Sequence, residues 1–201
     1  VDALNASLYP GGHPLGRSVR GTPDSVGALT REALVAFHQR HFTPDATIAV
    51  AVGDLPAEDL VERIAAECGD WRGTAAAVAA MLPPAPRHER MLVVKAMPDK
   101  AQADVAYGFV GLGRRDPDYY AAHVMNNALG QYALGGRLGD SIRERQGMAY
   151  YVYSALDAGL EAGPLMVRAG VSAANVEKTI ASIMQLVPFP PRKEDPAPHP
   201  S

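Results

Sequence analysis

The run Pro83-Pro84-Ala85-Pro86 limits this chain more than any other feature, because it can neither continue a helix nor join a central strand. It closes an alanine- and proline-rich stretch over residues 69–89. The 201 residues are therefore expected to fold as two small units around a linker at 74–89. Residues 188–201, with six prolines in fourteen positions, read as a disordered tail.

Before the linker, Thr30 is placed to cap a helix over Arg31–His41 that ends ahead of Pro44. Residues 46–52 form a short apolar run with β-branched members, closed by Gly53-Asp54, and predict a buried strand. A helix follows over Ala57–Cys68, with Leu60, Ile64 and Ala65 on one stripe. After the linker, residues 91–97 and 102–110 predict two strands, and residues 118–129 and 137–145 predict two helices. Residues 149–156 and 165–171 predict two more strands around a turn at 159–163, and residues 173–187 a final helix. Uneven segregation of strands and helices, with hairpins, favours an α+β fold: helices packed on mixed, largely antiparallel sheets in a two-layer sandwich.

Composition removes several classes of function. With 19 Lys+Arg against 22 Asp+Glu and a net charge of -3, there is no broad basic field, and nucleic acid is not an expected partner. The longest apolar run, residues 74–82, falls far short of the roughly 20 residues that span a bilayer. A single cysteine, Cys68, reads as structural, since it forms neither an internal disulfide nor a thiolate zinc cage. His38 and His41 lie three apart, but Gln39 and Arg40 stand where a metallopeptidase helix needs a glutamate base and a four-residue spacing. His13, His88, His123 and His199 are scattered, so no metal ligands are assigned in this chain. No Gly-x-Ser-x-Gly elbow occurs, and residues 108–113 have the wrong glycine spacing for a dinucleotide loop.

One constellation remains: Gly135-Gly136-Arg137-Leu138, then Ile142-Arg143-Glu144-Arg145-Gln146-Gly147-Met148-Ala149-Tyr150. It places a guanidinium late on a helix, a glycine at the turn and a phenol at the start of a strand. Such a helix-turn-strand can aim Arg143 and Tyr150 at one spot, to hold a peptide carbonyl oxygen or an oxyanion. The same residues also suit a plainer role, Arg143 at a helix C-terminus and Tyr150 on a half-buried strand.

The order of segments settles on a family. Tyr9-Pro10-Gly11-Gly12-His13-Pro14-Leu15-Gly16-Arg17, Leu29-Thr30-Arg31-Glu32-Ala33-Leu34, Phe37-His38, Phe42-Thr43-Pro44-Asp45-Ala46 and Val52-Gly53-Asp54 resemble the pitrilysin/insulinase family of zinc metallopeptidases, which includes mitochondrial processing peptidase-like proteins. Asp116-Pro117-Asp118-Tyr119-Tyr120-Ala121, Asn126-Asn127-Ala128-Leu129-Gly130, Arg137-Leu138 and the Ile142-to-Tyr150 run resemble its carboxy-terminal region. The resemblance covers about residues 2 to 187. One departure is the stretch 131–136, where the family usually carries glycine and serine before Arg-Leu.

The resemblance implies two similar α+β domains joined by a linker, with zinc held by an inverted His-x-x-Glu-His motif and a downstream glutamate that precede this chain. Residues 1–73 would close the first domain and residues 90–187 would open the second. It also implies that Arg143 and Tyr150 face the zinc across a cavity and bind substrate. The expected function is the substrate-binding, non-metal portion of a zinc-dependent endopeptidase, in which zinc-activated water is the attacking group and a glutamate the base. Expected partners are a peptide or unfolded protein substrate, a zinc-bearing domain or subunit, and a homo- or hetero-oligomeric mate for open sheet edges. The alternative is a non-catalytic scaffold or assembly subunit of the same family. Compartment is left open by the sequence.

Overall fold

The computed structural model describes residues 1–76, 90–132 and 135–187. These fall into two compact units, one drawn from Arg20–Ala80 and the other from Val1–Val19 and Met81–Ser201. Most of the expected linker, residues 77–89, and the whole expected tail, residues 188–201, lie outside the described residues.

The larger unit begins with α1 (Asp2–Leu8) and a 3-10 turn at Pro14–Gly16. It continues with β1 (Gln102–Val110), α5 (Tyr119–Leu129), a π-helix (Gly139–Arg145), β2 (Ala149–Leu156), β3 (Pro164–Ser172) and α6 (Val176–Leu186). The strands form one antiparallel sheet in the order β1-β3-β2. This is an α+β fold with helices on an antiparallel sheet. Alternation along the central strand decides which face they cover: Leu165, Val167, Ala169 and Val171 are all buried on one side. Val167, Ala169 and Val171 join Val105 and Val152 from the flanking strands and Leu129, Leu138, Ile142 and Ile183 from the helical layer. Each such aliphatic side chain contributes about 1.5–3 kcal/mol on burial, so this layer holds the unit together. The Tyr107 hydroxyl donates to the Val187 carbonyl at 3.0 Å and ties the end of α6 to β1.

The opposite face is covered only in part. At one end Leu4 of α1 lies against Gly108, and Met166 is buried. The Tyr9 hydroxyl, just beyond α1, donates to the Ala162 carbonyl at 3.1 Å in the β2–β3 turn. At the other end the face shows Asp104, Ala106, Tyr151, Tyr153 and Arg168.

The smaller unit holds α2 (Pro23–Gly27), α3 (Arg31–His41) and α4 (Ala57–Cys68). Thr30 caps α3 by accepting the Ala33 N–H at 3.2 Å, as the sequence predicts. The Asp45 carboxylate ties the unit together, accepting the Thr43 hydroxyl at 2.6 Å and the Ala75 N–H at 3.0 Å. Those two donors hold the Asp45 carboxyl below the usual carboxylate range.

Two predicted strands are absent. Residues 47–52 and 91–97 are not in any ladder, and Ile48, Val50 and Val52 are 90%, 81% and 95% exposed. The reason is the lack of a neighbour: a β-strand is defined by its partner's hydrogen bonds, and no described strand lies beside either run. The helices α1 and α2, in turn, carry no hydrophobic period that would have announced them.

Burial, then the nearby Asp157 carboxylate, pushes the Tyr9 phenol up to about 12. Its folded value lies above the unfolded value of about 10, so its contribution to stability is complete below about pH 10 and is lost as pH rises through about 12. Tyr107 and Tyr151 are also raised, so several phenols are expected to ionise late in a near-ultraviolet titration, and Tyr9→Phe to remove the latest step.

Candidate functional site: a cation and a phenol at the two ends of one turn

The π-helix sets the direction of Arg143. Leu138 and Ile142 are fully buried and lock one side of the helix into the core, which leaves Arg143 half-exposed beside them. Its Nε lies 3.8 Å from Glu144 Oε1. Residues 137–145 were expected to form an ordinary helix, but Gly139–Arg145 is wound with the wider π-turn. Side-chain pairs five residues apart match that winding. Arg145 forms an ion pair with Asp140, and Gln146 Nε2 donates to Ser141 Oγ at 3.3 Å. Gln146 also accepts the Ser182 hydroxyl at 3.3 Å, which pins the end of the π-helix to α6.

A tight reversal follows. The Gly147 N–H donates to the Arg143 carbonyl at 3.0 Å and the Met148 N–H to the Ile142 carbonyl at 3.1 Å. Gly147 has φ +61, a left-handed conformation that glycine adopts without a Cβ penalty. Met148 and Ala149 then bury into the core.

Tyr150 comes next, at an irregularity in the ladder: Ala149 pairs with Val171 and Tyr151 with Gly170, so Tyr150 has no partner on β3. Such a bulge re-aims the extra side chain out of the pleat. Tyr150 is 76% exposed, and its hydroxyl makes no hydrogen bond among the described residues. The plainer expectation of a half-buried strand tyrosine therefore does not hold. Arg143 and Tyr150 thus stand at the two ends of one turn whose interior is fixed by buried residues. No hydrogen bond links them. Sequence reading did not single out Gln146, Ser141 and Ser182; the five-residue spacing of polar pairs was the available signal.

The other candidates are quiet. His38 stacks on Phe42 with centroids 5.0 Å apart, and His41 packs against Phe37 at 4.5 Å. Among the described residues no group of three or more His, Cys, Asp or Glu is placed to hold a metal ion. The residues present do not fit a zinc site. Among them, too, no helix is long and apolar enough to cross a membrane.

Residues 28–187 match the family described as the peptidase M16 inactive domain, and the chain belongs to that family. It is 34% identical over 192 residues to an uncharacterized zinc protease of Mycobacterium leprae, covering 92% of this chain and 41% of that protein. It is 29% identical over 133 residues to a probable mitochondrial-processing peptidase subunit beta of Schizosaccharomyces pombe, covering 65% of this chain and 29% of that protein. A crystal structure of a peptidase M16 inactive domain from Pseudomonas fluorescens superposes with a TM-score of 0.79 at 29% identity, over 92% of this chain and 44% of that one. The chain spans about two fifths of the length of the curated zinc-protease relatives it matches. It is thus a non-catalytic part of a peptidase family whose relatives are named zinc proteases.

Because Tyr150 is exposed and without a hydrogen bond, Tyr150→Phe is expected to leave stability within about 0.5 kcal/mol of the parent. Gln146→Ala removes one hydrogen bond to Ser141 within the π-helix and one to Ser182 of α6, and is expected to cost about 1–2 kcal/mol. Denaturant midpoints of the two variants measure the contrast.

Proposed function

We propose that this chain is the substrate-binding, non-metal portion of a zinc-dependent endopeptidase, acting on peptides or unfolded proteins together with a zinc-bearing domain or subunit. The observation that carries this reading is the placement of Tyr150, a large phenol turned outward at a β-bulge one turn away from Arg143. A stability role would bury such a ring; a binding role leaves its hydroxyl free. The Arg143 guanidinium supplies several N–H donors and the Tyr150 hydroxyl one more, a set suited to a peptide carbonyl oxygen. Zinc belongs to another segment, and this chain's part is to bind and orient.

The exposed apolar runs support the need for a partner. Ile48, Val50 and Val52, and Leu92 and Val94 beyond the linker, are exposed and stand in no ladder. Unpaired strands with apolar side chains seek a ladder. We assign them to pairing with the zinc-bearing portion or with a second copy. The scaffold reading draws on the same exposed runs, and turnover separates the two.

The chain alone is expected not to cleave a peptide. With the zinc-bearing portion supplied, Arg143→Ala and Tyr150→Phe are each expected to lower kcat/KM by roughly 10- to 1000-fold, the range for loss of a carbonyl-oxygen donor, while assembly measured by light scattering is unchanged. Equal turnover by the variants would move the chain to the scaffold class.

A further inference from the structure

On the less covered face of the sheet, three rows of side chains run across the strands. In the first, the Tyr151 ring of β2 lies across Gly170 of β3 and its hydroxyl bonds to Asp104 of β1; a Cβ at Gly170 would overlap that ring. Asp104 also takes Lys100, so this carboxylate is already matched. In the third row, Gly108 and Met166 lie under Leu4 of α1. The second row is Tyr153, Arg168 and Ala106, and its β1 position carries only the methyl group of an exposed alanine.

Arg168 is held in place. Its Nη1 donates to the Tyr153 hydroxyl at 3.1 Å, and its Cζ stands 5.9 Å from the centre of that ring. The Tyr151 and Tyr153 rings are 6.0 Å apart and fix the wall behind it. A guanidinium has five N–H donors, and this one uses a single donor on a neutral hydroxyl. Among the described residues Arg168 has no ion-pair partner. The nearest carboxylate, Asp104 in the first row, acts on Arg168 only through space while it bonds to Lys100 and Tyr151, so the guanidinium keeps N–H donors for an incoming anion.

We propose that Arg168, backed by Tyr153 and Tyr151, is a subsite for the carboxylate of an acidic side chain on a bound polypeptide. The assignment rests on the substrate-binding reading above and adds a chemical preference to it. The planar fork matches a carboxylate with two parallel hydrogen bonds, and the flat, tyrosine-lined surface suits a peptide segment lying across it. Lys100 and Asp104, one row away, neutralise each other, which leaves Arg168 as the charge that selects an acidic side chain.

The test measures binding of the 201-residue chain to two labelled, end-capped peptides that differ only in one Glu exchanged for Gln. The Glu peptide is expected to bind about tenfold more tightly, the gain of a charge-assisted hydrogen bond, with the gap narrowing at high salt. Arg168→Gln should remove the preference and keep the weaker binding, and Arg168→Lys should restore only part of it because an ammonium lacks the fork. Equal affinity for both peptides overturns the subsite and leaves the substrate-binding reading standing; failure to bind either peptide overturns both. A third peptide, without Glu but with a free C-terminal carboxylate, separates the sources: stronger dependence on Arg168 there assigns the site to chain ends and overturns the side-chain preference. If Arg168→Gln leaves peptide binding unchanged and weakens association with the zinc-bearing portion, the anion belongs to that partner and the subsite is overturned.

Discussion

The central strand β3 is the constraint on which the larger unit depends. Every second residue from Leu165 to Val171 is buried beneath the helices, and both other strands pair only with it. Its register places Val171 opposite Ala149 and Gly170 opposite Tyr151, and that one-residue irregularity turns Tyr150 outward. The same strand carries Arg168 on its other face, between Tyr153 and Ala106. Because side chains alternate strictly, the hydrophobic requirement on one face fixes where the polar groups of the other must appear. The core thereby sets the geometry of both polar features.

The π-helix does the equivalent work for Arg143. An α-turn brings residues three and four apart onto one face, whereas the polar pairs here, Asp140 with Arg145 and Ser141 with Gln146, are five apart. They stabilise the wider winding, while Leu138 and Ile142 anchor it. Widened turns are rare and cluster at functional sites. Gln146 then ties the winding to α6 through Ser182, so the direction of Arg143 is coupled to the packing of the last helix.

Much of this was readable from the residues. Periodicity and caps place α3, α4, β1, β2 and β3 within a residue and α6 within three, because each has either a clear stripe or a run of alternating apolar positions. The runs at 46–52 and 91–97 have equally good strand composition, yet strand formation is a property of two segments, and the second is not among the described residues. The π-winding escaped because apolar periodicity does not distinguish it from an α-helix over so short a span. The expectation that Arg143 and Tyr150 act together came only from the ordered motifs of a family resemblance; residue chemistry alone favoured a plain helix-end arginine and strand tyrosine. Arg168 was invisible for a different reason: Asp104, Tyr153 and Arg168 are far apart in sequence, and only the strand register brings them together.

A binding element can be built on a mobile loop or on fixed elements, and the difference is entropic. An arginine side chain carries about 2 kcal/mol of rotamer freedom, and holding it before a ligand arrives removes that cost from the binding step. Arg168 is held by a hydroxyl and a ring before any anion is present, and Tyr150 projects from a bulge whose neighbours Ala149 and Val152 are buried. Both side chains spend folding energy supplied by the β3 core to stand ready on the surface. A chain that only packs against a partner has no use for such preparation, since apolar contact tolerates rotamer adjustment; a chain that must present donors to a polypeptide does. The polar groups on this sheet are therefore set in place by the core before any ligand is present.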